Sequence, residues 1–184
     1  MDYFNLGLTW RLSLAFLSGF SIWLIGLVPP SSVLEYALFG IILALLVLVP
    51  FISASTFRLA RGVLLTLAAA LVQTIVVWLA LANYDFLGLG DLELVFNVLL
   101  GTLLISISVA LVAPIRLTAK YITYALIAGL VSGFGFHFLL DQWMFFCDIP
   151  CPWWNDLAFT GGWVVWHMSI CAAVYFGKKH GLAG

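Results

Sequence analysis

Fifteen charged residues divide this chain into six uncharged stretches, and that division constrains its fold more than any other feature. From Arg11 onward the charges fall at Glu35, at Arg58 with Arg61, from Asp85 to Glu93, at Arg116 with Lys120, from Asp141 to Asp156, and at Lys178 with Lys179. The stretches between successive groups are 23, 22, 23, 22, 20 and 21 residues long. An α-helix crosses a hydrocarbon core of roughly 30 Å in about 20 residues. The spacing therefore predicts an all-α polytopic membrane bundle of six transmembrane helices, at about 12–28, 36–55, 62–82, 94–113, 121–140 and 160–177. These form one domain over 1–184, with the longest connection an outer loop at 141–159.

Composition excludes the soluble alternative. A soluble domain carries about a quarter charged residues because it must cover its surface with them. Here 8% of the 184 residues are charged and 65% are hydrophobic. A net charge of −1 and the lack of any Lys/Arg-rich run give no basis for nucleic-acid binding.

The charge groups also alternate in sign. With the N-terminus inside, all seven Lys and Arg fall on the cytoplasmic side, while Glu35, Asp85, Asp91, Glu93, Asp141, Asp148 and Asp156 fall opposite. Orientation follows the placement of Lys and Arg, so both termini are expected in the cytoplasm and the bundle in the plasma membrane, the inner membrane in a bacterium. Trp23, Trp78, Trp143, Trp153, Trp154 and Trp163 come near the outer ends, where indoles favour the interface, with Trp10 at the inner end. Pro29-Pro30-Ser31-Ser32 ends the first stretch, which is too long for the apolar part of a cleaved signal peptide and lacks a small-residue cleavage site.

The cytoplasmic connections are a few residues long and hold no phosphate-binding GxxxxGK[ST] motif, so chemistry would have to occur in the bilayer, at its outer face or in a partner. A gapless match aligns Arg61 onward (RGVLLTLAAALV) with Lys120 onward (KYITYALIAGLV), suggesting that spans 2–3 and 4–5 repeat one hairpin.

Several side chains are candidates for function. In the fifth span Ala125, Gly129, Gly133, His137 and Asp141 recur every four residues along one face. Gly129 and Gly133 form a small-xxx-small packing pattern. His137 and Asp141, one turn apart, are a proton- or metal-sensitive pair, or else the polar end of the span. His167 falls well inside the sixth span, where an ionisable group faces protein or water; the ordinary reading is a neutral histidine hydrogen-bonded between helices. His137, Asp141 and His167 together would make a three-ligand metal set, although their spacing is no known ligand signature. Cys147 and Cys151, separated by Asp-Ile-Pro, suit a structural disulfide in an oxidising compartment, and Cys171 suits packing. Gln73, Asn97, Gly101 and Ser108 would line a polar path or bond neighbouring helices. No Asp, Glu, Lys or Arg lies inside the six stretches, which argues against coupling to an ion gradient through a buried carboxylate.

In span number and terminus placement the chain resembles the substrate-binding subunits of energy-coupling-factor vitamin importers, a likeness of architecture. The leading functional expectation is a non-catalytic membrane protein, a sensor, anchor or assembly subunit that works with a protein partner or further copies of itself. The alternative is a transporter or solute-binding component for a neutral or apolar molecule, with a site at the outer face built from Trp143, Trp153, Trp154, Trp163, His137 and Asp141. A metal-dependent intramembrane enzyme is the third. No pattern in the sequence names a cofactor.

Overall fold

The computed structural model describes residues 7–24, 33–52, 58–82, 92–113, 115–146 and 153–181. These form six helices: α1 (Leu8–Leu24), α2 (Val33–Leu43), α3 (Arg58–Ala82), α4 (Leu92–Val112), α5 (Ala119–Phe146) and α6 (Trp153–Gly181). Four segments are long and apolar enough to cross a membrane: Leu34–Phe51, Arg58–Val76, Leu92–Val112 and Ala119–Leu139. The described part of α1 is 17 residues, and α6 is diluted by tryptophans, glycines and His167.

The helix ends depart from the expected spans in ways the local chemistry explains. Thr118 caps α5, its hydroxyl accepting the Tyr121 N–H at 3.2 Å in place of an intrahelical carbonyl. At the other end α5 continues to Phe146, and α6 starts at Trp153, so the expected outer loop at 141–159 is helical over much of its length. Uncharged length marks where a helix meets water, whereas backbone hydrogen bonding continues past that point. Cys147 and Cys151, the disulfide candidates, lie outside the described residues.

Pro50 reshapes the end of α2. It has no N–H to give the Leu46 carbonyl and its ring crowds that carbonyl, so a regular helix cannot run through it. The backbone widens into a π-helical turn at Ala44–Leu48 and then tightens into a 3-10 turn at Val49–Phe51. Ile52 leaves in an extended conformation, its N–H on the Val49 carbonyl at 3.0 Å.

The helices pack as a ring in which α6 lies along α5 and α1, α5 along α4, α4 along α3, and α3 along α2, which returns to α1; α6 also touches α4. Without a hydrophobic drive between helices in lipid, close packing of small residues holds such a ring. A Cβ on Gly19 of α1 would lie 2.5 Å from the Val164 Cα of α6, and one on Gly40 of α2 would lie 2.5 Å from the Ala69 carbonyl oxygen of α3. Gly129 and Gly133 of α5 sit against Leu99 and Val95 of α4, where a Cβ on Gly133 would come within 2.8 Å of the Val95 carbonyl oxygen. The alignment of Arg61 with Lys120, carried along the chain, pairs Gly40 with Leu99 and Ala70 with Gly129. Each of these aligned pairs brings one glycine against the facing helix.

Two charged groups that bound the uncharged stretches, Arg11 and Glu93, are buried at helix ends. Glu93, 4% exposed, lies in the first turn of α4, where the helix dipole favours a carboxylate. Arg11, 5% exposed, lies in α1 with its guanidinium carbon 4.2 Å from the centre of the Phe51 ring, a cation–π contact worth about 1–2 kcal/mol when desolvated. Lys178 donates to the Phe51 carbonyl at 3.3 Å. Burial and the nearby Arg11 guanidinium lower the Lys178 pKa. Phe51 therefore gathers the start of α1 and the end of α6 onto the Pro50 turn.

Candidate functional site

Several polar groups of the interior lie on or against α6, among them Ser18, Thr102, Trp166 and His167. Trp163, Trp166 and His167 stand at i, i+3 and i+4 and so share one face of that helix. That face points inward: Trp163 and Trp166 are each 1% exposed and His167 is fully buried. Trp163 packs edge-on against Phe39 of α2 (4.9 Å between ring centres) and Phe136 of α5 (5.3 Å), and lies 5.5 Å from Trp166. The expectation that Trp163 belongs to an interfacial tryptophan belt is therefore corrected. Gly162 makes room for this arrangement, since a Cβ there would lie 3.0 Å from the Phe136 ring.

Two hydrogen bonds tie this face to other helices. The Trp166 indole N–H donates to the Thr102 hydroxyl of α4 at 2.9 Å, and Thr102 in turn donates to the Val98 carbonyl at 2.8 Å. His167 Nδ1 lies 2.9 Å from the Ser18 hydroxyl of α1. Whichever ring nitrogen carries the proton, Nδ1 is satisfied, while Nε2 has no hydrogen-bond partner among the described residues. Elsewhere the Tyr121 hydroxyl donates to the Ser106 carbonyl at 2.6 Å, joining α5 to α4.

Four further hydroxyls stay within their own helix. Thr66, Thr74, Ser108 and Ser132 each donate to the carbonyl four residues back, at 2.7–2.8 Å. Ser108, a candidate for a polar path, is thereby occupied. Gln73 and Asn97 are different: both are buried, and neither the Gln73 amide nor the Asn97 NH2 finds a partner among the described residues.

Of the proposed metal set the structure describes the side chains of His137 and His167, while that of Asp141 lies outside the described residues. Gly135 faces Val165 and Gly161 faces Leu139 across the α5–α6 contact. That register sets half-buried His137 level with Trp163, about 6 Å along the axis from His167. His167 turns toward α1 instead. Among the described residues no three His, Cys, Asp or Glu side chains come together as ligands. Asp141 and Trp143 fall on the last turns of α5, and Trp153 and Trp154 on the first turn of α6; the side chains of these four lie outside the described residues. Cys171 is a buried free thiol in the core of α6.

Ser18, Phe39, Thr102, Phe136 and Trp166 were not singled out from sequence. For Trp166 the signal was available in the Trp163-x-x-Trp166-His167 spacing, which puts three hydrogen-bonding rings on one face. For Ser18 it was the adjoining Gly19. A serine beside a glycine in an apolar helix marks a face that another helix can approach.

No protein-family model, curated protein or solved structure matches this chain.

Proposed function

We propose that this chain is a non-catalytic, multi-spanning membrane protein that serves as an anchor or assembly subunit of a larger membrane complex, with six crossings and both termini in the cytoplasm. One observation carries the functional part: the chemistry-bearing side chains are used to join helices. His167 ties α6 to α1, Trp166 ties α6 to α4, and Tyr121 ties α5 to α4. A catalytic site would instead present such groups to a space where a substrate fits. The topology is supported by the positions of Lys and Arg and by Phe51, where Arg11 and Lys178, two residues expected on the same side, meet.

Extraction into nanodiscs from native membranes, followed by mass spectrometry of intact particles, tests this reading. A stoichiometric protein partner is the expected result. A lone chain that retains a small molecule would replace it with the second reading, a solute-binding or transport component. That reading has its own support in the unpartnered polar atoms of Gln73, Asn97 and His167, because a buried polar group away from water normally holds a protein, water or ligand partner.

A further inference from the structure

The Pro50 turn leaves a space beside α3. Between the widened end of α2 and the start of α3 runs an open groove of about 550 Å³, within the roughly 300–1,000 Å³ of small-molecule sites. Its walls are Leu45 and Val49 on one side and Leu59, Val63 and Leu67 on the other, and Arg58 stands at one end. Gly62 forms its floor: the nearest side-chain atoms to a Cβ there would be those of Val49, at 3.9 Å. Leu59 is 83% exposed and Arg58 is exposed beside it. Among the described lining residues the one hydroxyl, that of Thr66, is spent on the Gly62 carbonyl. What remains is an apolar channel with one planar, permanently charged donor group at its mouth and, among the described residues, no acidic residue in its lining.

We propose that this groove binds one anionic phospholipid, an acyl chain lying against Val49 and Val63 and the phosphate held by the Arg58 guanidinium. A zwitterionic lipid fills the same channel, but its headgroup brings an ammonium toward Arg58. An anionic headgroup adds only attraction, and guanidinium matches phosphate with paired N–H donors. Arg61, one turn along α3, adds charge of the same sign at that end. The proposal rests on the reading that the Arg58 end of α3 lies at a membrane surface. It deepens that reading by naming the lipid class a subunit of this kind would carry.

The test uses the full chain in nanodiscs of mixed phosphatidylglycerol and phosphatidylcholine, with mass spectrometry of the lipid retained after partial delipidation. The native chain should retain one phosphatidylglycerol in preference to phosphatidylcholine. Arg58→Gln should reduce that preference about fivefold, and Arg58→Lys should restore part of it. Gly62→Leu, or Val63→Trp should the first variant fail to fold, should reduce retention of both lipids by filling the groove. An undiminished preference in Arg58→Gln would overturn the proposal, as would a second copy or a partner helix found in the groove. The assay is blind to which membrane face Arg58 occupies, so topology can fail separately.

Discussion

The α6 side of the bundle and the α2–α3 side are built from the same apolar residues and pack in opposite ways. Around α6, glycines bring helices together until an added methyl group would strike backbone, and aromatic rings and two side-chain hydrogen bonds fill what remains. On the other side only 22% of the α3 crossing segment is buried, against 56% for α4, and the end of α2 stands off to leave the groove. Apolar character does not distinguish these regions, because lipid is as apolar as leucine. Glycine placement and helix regularity do. Gly40 closes one half of the α2–α3 contact, and Pro50 opens the other.

The sharpest way to break this contrast is to put the same kind of change on each side. Gly19→Ala forces a methyl group into the Val164 backbone of α6 and should cost about 2 kcal/mol by the rule for overpacked interiors. Gly62→Ala meets only open space near Val49 and should stay within about 0.5 kcal/mol of the native chain. Thermal unfolding in detergent measures both; equal losses would mean the two sides are packed alike.

Equal or smaller effects sharpen the account of the α6 face. Trp166→Phe removes the donor to Thr102 and part of the buried indole, so it should cost about 2 kcal/mol, the lost hydrogen bond and the cavity together. Ser18→Ala and His167→Asn, alone and combined, form a double-mutant cycle whose coupling should be about 0.6–1.7 kcal/mol, the range for hydrogen bonds between membrane helices. Additive losses would show that the Ser18–His167 contact contributes nothing to holding α1. Leu71→Ala on the outer face of α3 should shift stability by less than about 0.5 kcal/mol while weakening association with a partner, read as loss of co-purification.

Much of the architecture was legible in the charges, since a helix end in a membrane must meet water and charged residues mark where it does. Boundaries were less so: the uncharged stretches end at Asp141 and Asp156, and α5 and α6 remain helical beyond those residues. Facing was hardest to read. A helix that is apolar nearly all round has no polar side to set its rotation, so Trp163 reads equally as belt or core until Phe39 and Phe136 are seen against it. The stripe of Gly129 and Gly133 was visible because small residues at four-residue spacing have a meaning independent of polarity, whereas its target on α4 was not. His167 was visible as an oddity in an apolar span. Its partner was hidden because a serine in such a span usually bonds its own helix.

The proposed membrane topology rests on how many times the chain crosses the membrane and in which sense. Reporter fusions at the C-terminus measure this most directly, pairing a fluorescent protein that matures only in the cytoplasm with a phosphatase active only outside it. Six crossings from a cytoplasmic N-terminus predict fluorescence and no phosphatase activity at Gly184, and the reverse when the reporter follows Asp85. Phosphatase activity at Gly184 would contradict the account by giving the chain an odd number of crossings or the opposite orientation.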